Sequence, residues 1–464
     1  MGSVFVLVIG SLHVNSIQLI SNLIANTDDM HKKLALWSIT VGLGGLLFGL
    51  DVAVISGAEQ AIQSLWSLSD WMHGTAIAMA LYGTVFGAAL GNIPANRIGR
   101  KKTLFWIGIL FLVTSIGAAL AQDVYTFMIF RFLSGLSIGA SSVVAPVYIS
   151  EIAPPKYRGR MVISFQLNVV AGILLAYFSN YLLQGLGGEN DWRWMLGVVA
   201  IPSLLFSVMM LFTPETPRWL VLYKNDAAAA KKVLAITGEA TDAMIDAIRN
   251  SVKQAKESLF SKKFMAPLVL AFLIAFFNQM SGINAIIYFA PKVFEMAGIE
   301  RSGALLSSVG IGVVNLIFTI TGWYLIDRFG RKLLMYVGSV GYIISLTLIA
   351  VSFNAADKTM IVYYVFLFIA AHAVGQGAVI WVFLSELFPN SVRASGTSFG
   401  CLTHWVFAAL VAQVFPFFAA NVPGTYIFGF FAFMMFLQLL YVWKMMPETK
   451  GVALEDMEQT IVLH

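Results

Sequence analysis

Charged side chains make up only 11% of this chain, against about 25% in ordinary soluble domains. With hydrophobic residues at 59%, that scarcity excludes a soluble globular protein. Cysteine is almost missing: the single Cys401 forbids an internal disulfide and carries no redox information. The six histidines are scattered without metal-ligand spacing, so they support no zinc site. The apolar stretches hold no paired acid and base, nucleophilic triad or metal cluster, which disfavours an integral-membrane enzyme and calls for no cofactor. A net charge of +5 would point to nucleic acid in a soluble chain. Here the basic residues gather on one side of a membrane, so no nucleic-acid partner is expected.

What the chain does have is a charged signature written twice. Asn96-Arg97-Ile98-Gly99-Arg100-Lys101 recurs as Asp327-Arg328-Phe329-Gly330-Arg331-Lys332. Ser150-Glu151-Ile152-Ala153-Pro154 answers to Ser385-Glu386-Leu387-Phe388-Pro389, and Pro214-Glu215-Thr216 to Pro447-Glu448-Thr449. The steps are 231, 235 and 233 residues. Three independent pairs at nearly one step mean a tandem duplication. A duplicated, membrane-embedded half is a common plan for secondary transporters. The 39 glycines fall largely in apolar runs, where membrane helices pack closely.

Apolar stretches of about 20 residues predict an all-α integral membrane fold with twelve spans in two pseudo-symmetric six-helix halves. The first six are near 34–57, 74–95, 103–121, 124–146, 161–183 and 192–212. The second six are near 264–290, 303–325, 333–353, 358–384, 396–421 and 423–446. The expected organisation is a first half over 30–213, a polar linker over 214–263 and a second half over 264–464. In the linker, Asn225-Asp226 before Ala227 reads as a helix start, so short surface helices are expected there. Lys and Arg crowd the 2–3 loop, the 4–5 loop and the linker. By the positive-inside rule, both ends of the twelve-span body and the linker are then cytoplasmic. Residues 1–29 fit no secretory signal, since no basic residue precedes their apolar part. They read as an upstream start-site artefact or a loose interfacial segment rather than a thirteenth span.

These ordered signatures resemble the major facilitator superfamily, and within it the sugar porter family. Gly44-Gly45-Leu46-Leu47-Phe48-Gly49-Leu50-Asp51 opens span 1 as in that family. Pro214 to Trp219 resembles its PESPR element, Pro447 to Gly451 its PETKG element, and Gln279-Met280-Ser281-Gly282-Ile283-Asn284 its span-7 amide element. Two departures stand out. Asn278 replaces the first Gln of the span-7 pair, and Gly377-Ala378-Val379-Ile380-Trp381 has Ala for Pro in the span-10 element. Both bear on sugar preference or gate flexibility without changing the class.

Charges inside a membrane are costly and usually functional, and Asp51 in span 1 and Arg131 in span 4 stand out. Burial favours the neutral acid and a nearby guanidinium the carboxylate. A pair that separates and re-forms would therefore link protonation to conformation. The resemblance implies the same, since an acid at the Asp51 position resembles the proton-coupled members. The bland reading is a permanent pair that fixes spans 1 and 4.

A sugar offers many hydroxyls and no charge, so its site needs amide side chains and aromatic faces. Spans 5, 7, 8, 10 and 11 supply Gln166, Asn278, Gln279, Asn284, Asn315, Trp381, His404 and Trp405. Five residues turn about 500° on an ideal helix, so Gln279 and Asn284 converge most easily if the helix breaks at Ser281-Gly282. By the resemblance, Gln166, Gln279, Asn284, Asn315 and Trp381 match sugar-contacting positions, and Phe48 and Tyr288 match aromatic positions beside the sugar. His404 stands where relatives carry Gln or Asn. Singly, each amide reads equally well as interhelical glue.

The resemblance also implies an inner salt-bridge network. Its members are Arg97, Arg100, Glu151, Arg158 and Glu215 in the first half, with Asp327, Arg328, Arg331, Glu386, Arg393 and Glu448 in the second. Such bridges would clamp the halves at the inner face while the protein is open outwards. Asn96 replaces the usual Asp of the first copy, which would weaken that clamp.

The function these residues support is a monomeric transporter in the lipid bilayer, importing a monosaccharide by alternating access with proton symport through Asp51. A proton-independent facilitator, or a carrier of polyols or cyclitols, uses the same fold. A transporter-like nutrient sensor would need an output surface, usually a long tail, and the chain ends at His464. Short loops suit a bacterial inner membrane.

Overall fold

In the computed structural model the described residues are 33, 36–37, 39–153, 155–237, 241–250, 258–389 and 391–451, with no side chains described for 155–163 and 237. The proposed extension over 1–29 lies outside them. Twelve helices among these residues are long and apolar enough to cross a membrane. The two sets of six repeat one another's contacts, as detailed below.

The first half comprises α1 (Ile39–Leu65), α2 (Asp70–Leu90), the short α3 (Asn92–Ile98), α4 (Arg100–Leu120), α5 (Val124–Ile152) and α6 (Pro155–Leu183), with the sixth span formed by α7 (Asp191–Gly197) and α8 (Ala200–Leu211). The linker folds into α9 (Pro217–Leu222), α10 (Ala227–Thr237) and α11 (Asp242–Asn250). Asp226 starts α10 as its position suggests, its carboxylate accepting from the Ala229 N–H at 2.8 Å. The second half runs α12 (Met265–Met280), α13 (Ile283–Met296), α14 (Arg301–Phe329), α15 (Arg331–Ser352), α16 (Ile361–Val374), α17 (Gln376–Glu386), α18 (Arg393–Asn421) and α19 (Gly424–Lys444).

Several spans run longer than their apolar runs suggest, and two of the differences matter here. The first continues to Leu65 instead of stopping near 57, which carries Glu59 into the helix. The second starts at Asp70 instead of 74, because Ser69 caps it by accepting from the Met72 N–H at 3.3 Å, and this brings in His73.

Besides the sixth span, two more are broken. Span 7 stops at Met280 and resumes at Ile283 through Gly282, whose φ of +82° is left-handed. A side chain there would be strained, and a Cβ would sit 2.6 Å from the Phe431 ring. The same span leaves helical geometry again at Phe289 (φ −124°, ψ 28°), two residues before Pro291, as expected where proline removes a donor and crowds the preceding residue. Span 10 breaks at Gly375 even though Ala378 stands where the family pattern has proline.

The halves meet mainly along α2 against α18 and α6 against α14. At the end away from the basic loops they touch directly. Tyr82 hydrogen-bonds Gln413, and the Gln413 amide reaches Thr75 at 3.3 Å. Arg301 donates to the Gly57 carbonyl at 3.3 Å, and Tyr177 donates to the Ile287 carbonyl at 2.8 Å. At the basic end a groove of about 460 Å³ parts them, lined by Asn92 on one side and Ala394, Ser395 and Ser398 on the other.

Candidate functional site

α1 and α5 place Asp51 and Arg131 face to face. Arg131 Nη1 lies 3.1 Å from Asp51 Oδ2, with both side chains at most 5% exposed. Ser134, one turn along α5, donates to the same oxygen at 2.7 Å, a partner that a search for intramembrane charges passes over because serine is common in such helices. Arg131 Nε and Nη2 and the Tyr288 hydroxyl are buried without hydrogen-bond partners. Tyr288 comes from α13 of the other half, close enough for the charges of Arg131 and Asp51 to act on its hydroxyl. The ion pair thus belongs to one half and its uncommitted aromatic neighbour to the other.

A polar cluster sits in the second half around the span-7 break. Asn284 donates to Gln279 Oε1 at 2.6 Å across the break, so the interruption brings the two amides together. Gln279 donates to Asn278 at 2.8 Å and lies 3.2 Å from His404 Nδ1. The His404 ring is held between Trp381, at 5.0 Å between centroids, and Trp405, at 4.8 Å. Phe48 of the first half reaches Trp405 at 5.7 Å. Asn278 further donates to Gln376 at 3.3 Å. Gln376 donates to Gln438 at 2.7 Å, which donates to Ser339 at 2.8 Å. Sequence reasoning missed this second row, since single amides in separate spans carry no spacing signal.

The structure therefore gathers Phe48, Asn278, Gln279, Asn284, Trp381, His404 and Trp405. It does not hydrogen-bond Gln166 or Asn315 into the same cluster. Gln166 is half-buried on α6, and buried Asn315 accepts from Thr319 of its own helix at 3.4 Å.

The repeated signatures build one latch in each half. Glu215 accepts the backbone N–H groups of Arg100 and Lys101 at 3.0 and 3.2 Å. Glu448 accepts those of Arg331 and Lys332 at 3.0 and 2.9 Å. Each carboxylate thus satisfies the free N-terminal donors of a membrane helix. Gly99 and Gly330 are required beside them, since a Cβ would fall 2.1 Å from Glu215 Oε2 and 2.5 Å from Glu448 Oε2. Arg100 pairs with Glu151 at 3.1 Å and Arg331 with Glu386 at 2.7 Å. Thr216 and Thr449 donate to those same glutamates at 2.6 Å each. The threonines were legible in the repeated Pro-Glu-Thr but were not assigned this role.

These bonds tie helices of the same half together, whereas the expected clamp crosses between halves. At this end a groove lies between Asn92 and Ala394, Ser395 and Ser398, and none of the bonds above joins one half to the other. Arg97, Asp327 and Arg328 are exposed, with Asp327 3.7 Å from Arg331. Arg393 donates to the Phe388 carbonyl at 3.2 Å, and the Arg158 side chain lies outside the described residues. The two copies also differ electrostatically. Burial pushes the Glu215 carboxyl up, against the N–H groups of Thr216, Lys101 and Arg100 and the Arg100 charge. Burial raises Glu448 too, but the N–H groups of Arg331, Lys450, Lys332 and Thr449 outweigh it and hold that carboxyl below the usual range.

Residues 37–461 match the family described as "Sugar (and other) transporter". The chain belongs to that family. It is 36% identical over 434 residues to the arabinose-proton symporter of Bacillus subtilis, covering 91% of this chain and 94% of that one. It is 32% identical over 470 residues to the D-xylose-proton symporter of Escherichia coli, covering 91% and 95%. Among solved structures, a partially occluded inward-open conformation of the E. coli xylose transporter XylE superimposes with a TM-score of 0.81 at 30% identity, over 91% of this chain and 100% of that chain. This chain is thus a multi-pass membrane transporter with the major facilitator fold.

Proposed function

We propose that this transporter imports a monosaccharide by alternating access and couples it to protons through Asp51. The buried Asp51–Arg131 pair, facing the unpartnered hydroxyl of Tyr288 across the half interface, carries this reading. A proton on Asp51 removes the charge that compensates Arg131, so protonation changes how the halves fit around Tyr288. The cluster of Gln279, Asn284, Asn278 and His404 supplies amide and imidazole groups for sugar hydroxyls, and Trp381, Trp405 and Phe48 supply apolar faces. Gln166, Tyr288 and Asn315 complete the site when the halves close on a ligand. Residues 30–213 and 264–464 act as the rocking halves, 214–263 as their linker, and one chain suffices. The basic end faces the cytoplasm of a cell whose inner membrane holds the protein, and the groove there makes this conformation inward-facing. The latches at Glu151–Arg100 and Glu386–Arg331 keep each half rigid, and they are the charges available to join the halves when the inner side shuts. Relatives that carry arabinose or xylose with protons support the class.

Uptake of labelled pentoses and hexoses into proteoliposomes, with and without an inward proton gradient, tests the proposal. Gradient-driven accumulation by the parent, lost in Asp51→Asn while sugar counterflow persists, is the expected result. Equilibration that ignores both the gradient and the substitution would make the protein a facilitator.

A further inference from the structure

Glu59 on α1 and His73 on α2 form a second buried titratable pair in the first half. Glu59 Oε2 lies 3.0 Å from His73 Nε2, with side chains 1% and 3% exposed. The contact is not an aligned hydrogen bond, and Glu59 Oε1 and His73 Nδ1 have no hydrogen-bond partner. Glu59 is eight residues beyond Asp51, about 12 Å along the helix at 1.5 Å per residue, at the end where the halves touch.

The cover over this pair comes from the other half. Phe289, at the second break of span 7, presents its ring edge to His73 at 6.1 Å and is backed by Phe415 at 5.2 Å. The Gly74 backbone lies against the Gln413 carbonyl so closely that a Cβ would come within 1.9 Å of it. Beside the pair stands Glu295 of α13, which feels the charges of Arg301, Glu59 and Lys292. Arg301 ties α14 to the Gly57 carbonyl. From below, the nearest charges are Asp51 and Arg131, already paired.

When the second half withdraws from this end, Phe289, Glu295 and Gln413 leave with it and water reaches the pair. Wetted, the pair exchanges protons with the outer solution, and at high enough pH it holds none. Sealing a bare carboxylate beside a neutral imidazole is costly, whereas a pair sharing one proton is neutral overall. We propose that Glu59–His73 is a second proton-binding site, loaded from the outer side as the outer gate closes and emptied back to that side as it opens. The proton bound here biases the gate without entering the stoichiometry, unlike one carried by Asp51. This inference rests on the alternating-access reading above.

The test is a distance measurement between spin labels at Ser64→Cys and Ala356→Cys, in a Cys401→Ser, Asp51→Asn background in nanodiscs without sugar, from pH 5 to 9. The closed-to-open ratio should fall as pH rises, by up to about tenfold per pH unit, the signature of one linked proton. Glu59→Gln should abolish that fall and instead favour the open state in acid, because a protonated imidazole without its carboxylate is costly to seal. His73→Gln should keep a fall but move it to lower pH, because the lone carboxyl must then be protonated to be sealed. A pH-independent ratio in the parent, or an unchanged slope in Glu59→Gln, would overturn the second site and leave alternating access standing. A single distance at every pH would overturn both.

Discussion

The Asp51–Arg131 pair makes a quantitative demand on stability as well as on transport. At 3.1 Å and an effective dielectric of about 20, the attraction is roughly 5 kcal/mol, much of it offset by stripping water from two ions. Removing one partner is worse than removing both. It strands the other charge in the interior, at a cost of about 3–5 kcal/mol for a buried pair. Asp51→Asn keeps an acceptor for Ser134 but strands Arg131, whose Nε and Nη2 already lack partners. Arg131→Gln strands the carboxylate, which Ser134 relieves in part. The double variant strands nothing, since an amide pair of similar size remains. Unfolding titrations in mixed micelles should therefore show each single variant destabilised by about 3–5 kcal/mol. The double variant should recover at least about 2 kcal/mol relative to the sum, a coupling within the range for residues in direct contact. Strict additivity would mean that the pair is not energetically coupled and would remove the physical basis for linking protonation to conformation.

Gly282→Ala should cost about 1–2 kcal/mol for the left-handed backbone alone, and more for the clash with Phe431; counterflow should collapse because Asn284 no longer reaches Gln279, and retained transport would refute the break as a site-forming device. Thr216→Val and Thr449→Val each remove a hydroxyl bonded to a carboxylate and should each lower stability by about 1.5–3 kcal/mol, measured by the same titration. The latches should also respond oppositely to acid. Glu448 is held low, so its contribution is complete above the unfolded value of about 4.3 and is lost as pH falls below it. Glu215 is pushed up, so its contribution is present in acid and lost as pH rises through its folded value. Amide-exchange protection at Lys332 should therefore drop as pH falls below about 4.3 while that at Lys101 does not, and equal losses would refute the asymmetry. Gln279→Ala should raise the sugar KM at least tenfold, and an unchanged KM would make that amide glue and not a ligand.

The sequence alone determined the architecture: the scarcity of charge required a membrane, the length of the apolar runs set the spans, and the signatures repeated at one step set two halves. It also pointed to the break at Ser281-Gly282, since two amides five residues apart converge on one ligand most easily when the helix is interrupted between them. Periodicity could not fix where spans 1 and 2 end, because Glu59 and His73 look like loop residues until tertiary packing neutralises them as a pair. Only the folded chain decided that Glu151 pairs with Arg100 and Glu386 with Arg331 inside their own halves, because partner choice between equivalent acids depends on how the helices pack. The second amide row through Gln376 and Gln438 belongs to the same category. Local pattern sets what a helix is, but the charges and amides it buries find partners across helices, and those distances exist only once the helices have packed.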